Sequence, residues 1–142
     1  MIVLDTTVLV YAVGGDHPLR EPCRDLIAAI AAGRLPATTT VEVLQEFTHV
    51  RARRRGREDG ARLARDYFDV LAPLMVLGDD DLLDGLLLYA RSDRLGAFDA
   101  VLAAAAGRAN ATAIVSADAA LGEADIAHVV PDADGVAALL RR

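Results

Sequence analysis

The chain has 142 residues, 54% of them hydrophobic, with 15 basic and 21 acidic side chains and a net charge of −6. That length and apolar content suit one folded domain, residues 1–142, and exclude a disordered chain; no apolar run approaches the roughly 18 residues of a membrane span, and the opening lacks the basic stretch of a signal peptide. The acidic balance argues against non-specific nucleic-acid binding, while the single cysteine, Cys23, excludes an intrachain disulfide framework and fits a reducing cytoplasm.

Ile2, Val3 and Leu4 read as a first buried strand that runs straight into Asp5 and two threonines. Residues 6–13 then turn into a short helix. After the loop GGDHP, residues 19–33 have helical spacing and stop at Gly33. Cys23 falls in this helix and is expected to pack, since nothing resembling a catalytic partner is near it. LPATTT allows a short second strand, and its threonines suit the cap of the next helix. That helix, 41–56, becomes basic at its C-terminal end, which complements its dipole. Residues 57–72 form another. PLMVLG, 73–78, is a compact apolar run predicted as the third strand.

Three aspartates open the helix at 79–93, a good N-terminal signal. Its Leu82, Leu83, Leu86, Leu87 and Ala90 make one apolar stripe. AFDAVLAAAAGRAN is an Ala-rich helix, and ATAIVSAD is a strand that ends on a second aspartate, Asp118. AHVVPDADGVAALL gives a final strand and helix. Strands separated by helical segments point to an α/β fold, with a parallel sheet covered on both faces.

A buried carboxylate costs several kcal/mol unless it is paired or bound to metal. In open parallel sheets ligands bind at the carboxyl ends of the strands, and Asp5 and Asp118 both fall there. Two carboxylates meeting at one edge repel each other, and a divalent cation resolves the conflict. All-oxygen ligands suit Mg²⁺ or Mn²⁺ better than zinc. Two more acids interrupt apolar helix surface: Asp99 in LGAFDAVLAAAA and Glu46 in VEVLQEFTHV. Glu42, one turn earlier, is the competing candidate; its place in the first turn suits the helix dipole instead. Any one of these acids could serve only as a cap, and Asp is among the best N-caps. Four together weaken that reading.

All fifteen basic residues are arginines, and five of them, Arg51, Arg53, Arg54, Arg55 and Arg57, form one run. They read either as a solvated helix end or as a ridge that holds an RNA backbone, where contacts give affinity rather than sequence choice. His17, His49 and His128 share no metal-type spacing and are read as structural or solvent-exposed.

In this order and spacing, DTT after the first strand, EF in a helix after the threonines, FDAVLAAAA and IVSADAAL resemble PIN domains. The resemblance covers nearly the whole chain and is closest to the short VapC-type toxins of VapBC toxin–antitoxin systems. It implies a three-layer α/β/α sandwich with a central parallel sheet and Mg²⁺- or Mn²⁺-dependent cleavage of RNA. It also implies a homodimer and a cognate VapB-type antitoxin. Asp5, Asp99 and Asp118 match the family's acids as metal ligands; Asp5 and Asp99 would hold the ion directly. Asp118 and Glu46 would act through water, and the four acids form the catalytic set. Thr6, Thr7 and Ser116 fall where the family often has small hydroxyl residues. The departure is Ser116, where threonine is commoner; both offer the same hydroxyl. Glu46 stands six residues after Thr40, as the family's glutamate stands after a small hydroxyl residue.

Two other readings stay open. A phosphate-receiving signalling domain shares the size and metal use but needs a lysine near its acids, and this chain has none. A PIN-like interaction module with a degraded site is the second; the presence of all four acids weighs against it.

Overall fold

The computed structural model describes residues 1–141. Four strands, β1 (Ile2–Leu4), β2 (Ala37–Thr38), β3 (Ala113–Val115) and β4 (His128–Val129), form one parallel sheet in the order β2-β1-β3-β4. β1 and β3 are central, and all six of their residues are buried. Their continuous apolar runs are what a sheet covered on both faces requires. The helices are α1 (Thr6–Ala12), α2 (Arg20–Ala31), α3 (Val41–Arg55), α4 (Arg57–Leu71), α5 (Asp79–Arg91), α6 (Ala97–Arg108) and α7 (Ala133–Leu140). They pack in two groups. α1 packs on α2 and α3, α2 on α4 and α7; α5 pairs with α6, which lies on β3. The result is the expected three-layer α/β/α sandwich.

The threonine run does more than cap. Thr40 Oγ1 accepts from Val43 N–H at the start of α3, while Thr39 Oγ1 donates to Leu4 C=O at 2.7 Å and Thr38 Oγ1 to Pro73 C=O at 2.9 Å. All three side chains are buried. They tie α3, the sheet and the 73–78 segment together.

That segment is the one predicted strand the structure does not form. Its single ladder contact is a parallel bridge between Met75 and Thr40, with Met75 N–H donating to Thr39 C=O. Pro73 cannot donate, and Val76 is 86% exposed. Its apolar composition mimics a doubly buried strand, but only Leu74 and Met75 pack against the core, and Val76 points to solvent. Conversely, Ala119–Glu123, which gave no sequence signal, forms a 3₁₀ helix.

Helix α5 also differs from expectation. Leu82, Leu83, Leu86, Leu87 and Ala90 are exposed, Leu83 at 59% and Leu87 at 70%. The helix packs instead through Asp81, Gly85 and Leu88. A Cβ at Gly85 would lie 2.6 Å from Val101 Cα, so only glycine lets α5 and α6 approach this closely. Asp81 Oδ2 accepts from Gly78 N–H and thereby caps the helix. Arg108 lies 3.0 Å from Asp81 Oδ1, in ion-pair contact without a well-directed hydrogen bond.

Candidate active site

Strand register assembles the site. Leu4 pairs with Val115, so Asp5 and Ser116 emerge side by side at the carboxyl edge. Asp5 N–H donates to Val115 C=O, and Ser116 N–H to Val129 C=O. From β1 the chain crosses to β2 on one side, while β3 lies on the other. That reversal is the switch point at which open α/β sheets form their clefts. Here the cleft has a volume of about 500 Å³ and is lined by Asp5, Glu46, Asp99 and Asp118. The four acids drawn from separate parts of the sequence therefore surround one space.

Each is held differently. Asp5 caps α1 and is buried. Its Oδ2 accepts from Thr7 N–H (3.2 Å), Thr7 Oγ1 (2.8 Å) and Ser116 Oγ (2.7 Å). Thr7 Oγ1 in turn accepts from Ala117 N–H, and Ser116 Oγ from Asp118 N–H. Asp118 caps the 3₁₀ helix through Oδ1. Glu46 is on the exposed side of α3 rather than on a buried face, and its Oε2 accepts from Thr6 Oγ1 at 2.6 Å. Among the described residues, Asp5 Oδ1, Glu46 Oε1, Asp118 Oδ2 and both Asp99 oxygens take no protein hydrogen bond. Every acid is steered by the chain or helix that carries it and keeps an oxygen for something else.

The loop before α6 and the 3₁₀ helix brace each other. Glu123 accepts from Ser92 Oγ and from Arg94 Nε, bonds that push its carboxyl down to about 2. The brace joins the turn carrying Asp118 to the approach to Asp99.

Asp99, in the first turn of α6, has no such support. Burial first, then the charges of Asp5, Asp118 and Glu46, push its carboxyl from an ordinary value near 3.8 up to about 7. The folded state thus holds this proton more tightly than the unfolded chain does. Between those two values stability must fall as pH rises, and above the upper one the full penalty applies. The metal-free protein is therefore expected to lose melting temperature from about pH 4 to pH 7, with a shallower slope in Asp99→Asn. Equal slopes in the two proteins would contradict this placement of Asp99.

The donor set suits a hard divalent cation: oxygen only, strongly negative, with unused lone pairs. Among the described residues no three of these groups converge to the spacing of a ready-made metal cluster. Mg²⁺ does not need one, since it usually keeps several waters and takes one or two carboxylates.

Glu42 sits elsewhere, in an apolar groove with Leu82, Leu86 and Phe98. The five arginines do not form one ridge. Arg54 lines the cleft. Arg51 donates to Asp59 at 2.6 Å and to Val13 C=O at 2.9 Å, holding the Asp59 carboxyl below its usual range and closing the end of α1. Arg53 and Arg57 line an outer groove between α3 and α4, and Arg55 is exposed. Burial pushes the Cys23 thiol up to about 12, which leaves it unreactive. His49 is exposed, and His128 Nε2 lies 2.9 Å from Ser116 C=O. Sequence reasoning missed Tyr11 and the cleft position of His17, both of which line the cleft. No periodic pattern could have found them, because a loop brings them together.

Residues 2–127 match the PIN domain family. The chain belongs to the PIN-domain family. It is 55% identical to Ribonuclease VapC7 of Mycobacterium tuberculosis, over 99% of this chain and 98% of the relative. Ribonuclease VapC23 of the same species is 31% identical over 87% of this chain and 98% of its own. The PIN domain described here is thus a homologue of VapC ribonucleases. Among solved structures, FitAcB of Neisseria gonorrhoeae superposes with a TM-score of 0.74 at 16% identity, covering 92% of this chain and 98% of that one. The M. tuberculosis sarcin-ricin loop cleaving toxin VapC20 gives a TM-score of 0.75 at 17% identity, over 89% and 96%. At those identities the structures establish the shared PIN fold.

Proposed function

We propose that this PIN domain is the endoribonuclease toxin of a type II toxin–antitoxin pair, cutting RNA with water at the carboxylate cleft. The observation that carries the reading is the cleft itself: four acids at the switch point, each with an oxygen unused by the protein. Asp5, Asp99 and Asp118 would hold Mg²⁺ or Mn²⁺. When bound, such an ion neutralises phosphate charge and acidifies a water towards neutral pH. The protein's own part is positioning. Thr7 and Ser116 fix Asp5 through Oδ2 and leave Oδ1 to the cleft. Thr6 holds Glu46 by one oxygen, leaving the other to orient the attacking water and accept its proton. Asp99, whose oxygens take no protein hydrogen bond among the described residues, would hold the ion as a carboxylate. Arg54 offers the cleft a phosphate contact. Attack by water leaves no 2′,3′-cyclic phosphate, whereas attack by the RNA's own 2′-hydroxyl does. Mapping the ends cut by the purified protein tests this: linear phosphate ends are expected, and cyclic phosphate ends would overturn the water mechanism.

The exposed leucines of α5 support a homodimer. Leu82, Leu83, Leu86 and Leu87 form a stripe that a second copy could match by two-fold symmetry. The wild-type protein is expected to sediment as a dimer, and the doubly substituted Leu83→Arg/Leu87→Arg protein as a folded monomer. A dimer that survives both changes would move the interface elsewhere.

The antitoxin is proposed to inhibit with a cationic side chain placed among the acids, where a negative field attracts any cation. In a structure of the complex, an arginine or lysine of the partner should occupy the cleft. A cleft left open in that complex would refute the idea.

A further inference from the structure

We propose that Tyr11 and His17 form a stacking subsite for one RNA base beside the scissile phosphodiester, so that target choice favours an unpaired nucleotide there. The inference rests on the ribonuclease reading above.

The chain has three tyrosines, three phenylalanines and no tryptophan. Phe47 and Tyr67 pack edge to face in the core. Tyr11 is the one phenylalanine or tyrosine lining the acidic cleft among the described residues, and it stands there with His17. Their rings are stacked, with centroids 4.4 Å apart and planes 29° from parallel. Tyr11 backs one face of the His17 ring, and exposed His17 presents the outer face of the stack.

The pair is ordered before any ligand arrives. Tyr11 lies in the last turn of α1, half-buried against the core. His17 Nδ1 accepts from Leu19 N–H at 3.1 Å, so the neutral ring carries its proton on Nε2 as a donor. His17 is exposed, so the face of its ring turned away from Tyr11 is open to a ligand. Gly14 and Gly15 line the same cleft and add no side chains to it. Its volume of about 500 Å³ is within the range of small-ligand sites. A nucleotide needs three kinds of contact, and all are present around this space: Arg54 for phosphate, the carboxylates for chemistry, and a flat aromatic pair for the base. Stacking tolerates any base, so it selects unpaired nucleotides before it selects sequence.

The test uses a short single-stranded RNA carrying a mapped cut site, with each neighbouring nucleotide replaced in turn by an abasic one. With wild-type protein and Mn²⁺, one position next to the cut should lower kcat/KM at least about fivefold when its base is removed, chiefly through KM. Tyr11→Leu and His17→Ala should show the same loss on intact RNA and no further loss at the abasic position. Tyr11→Phe, which keeps the ring, should behave as wild type. His17 is exposed, so His17→Ala remains informative even if Tyr11→Leu folds poorly. If wild-type protein cleaves RNA but the variants keep full sensitivity to the missing base, or no position shows it, the subsite is refuted and the ribonuclease reading stands. If wild-type protein cleaves no RNA, the ribonuclease reading falls and the subsite falls with it.

Discussion

Asp99→Asn is expected to reduce RNA cleavage below about 1% of wild type, a loss of at least about 2.7 kcal/mol of transition-state stabilisation. At neutral pH and without metal, the same change should raise the melting temperature. Both effects have one cause. Burial first, then the charges of neighbouring Asp5, Asp118 and Glu46, push the Asp99 carboxyl up to about 7. An amide removes the repulsion but also removes the anionic ligand. Asp5→Asn should abolish cleavage equally, but without the gain in stability. Its Oδ2 already takes three hydrogen bonds from Thr7 and Ser116. An amide oxygen can keep the helix cap but serves that network less well. Single-turnover rates and metal-free melting curves of the two variants check both statements. Wild-type cleavage by either variant would remove that residue from the site.

Glu46→Gln is expected to slow cleavage at least about tenfold, roughly 1.4 kcal/mol, while Glu42→Gln leaves the rate near wild type. The two side chains lie one turn apart on α3, a spacing that cannot choose between them. The structure separates them by surroundings. Glu46 lines the cleft and is gripped by Thr6; Glu42 lines the apolar groove beside α5 and α6. In the first turn, Glu42 complements the helix dipole, so its loss should cost a few tenths of a kcal/mol up to about 1 in stability. A reversed pattern would move the fourth acid one turn towards the N-terminus of α3.

The parts of this molecule that were legible in its sequence are those fixed by local pattern. Continuous apolar runs marked β1 and β3, because a doubly buried strand must be apolar. Asp5 follows β1 directly, whereas β3 stops at Val115 and Asp118 comes three residues later, at the start of the 3₁₀ helix. The threonines before α3 and the aspartates in the first turn of α5 marked helix starts, because caps and first-turn charges depend on neighbouring residues. What stayed hidden depends on partners. The 73–78 segment has a strand's composition, but it packs on the core through Leu74 and Met75 and leaves Val76 open to solvent. The leucine stripe of α5 reads as a core face, yet Gly85 turns the opposite side inward by allowing the backbone of α6 so close. Five arginines read as a solvated helix end or as one ridge, but four lie on α3 and Arg57 opens α4, and they meet different surroundings. Arg51 serves Asp59 and Val13, and Arg54 reaches the cleft. The stack of Tyr11 on His17 depends on a loop whose path no periodicity encodes.

The carboxylate cleft is proposed to cut RNA with the help of a divalent cation. The most direct test of that proposal is the single-turnover cleavage rate of purified wild-type and Asp99→Asn protein, first in chelator and then with Mn²⁺ restored. The wild-type rate should vanish in chelator and return with the ion, while Asp99→Asn stays inactive throughout. Undiminished cleavage in chelator, or ion-restored cleavage by Asp99→Asn, would contradict it.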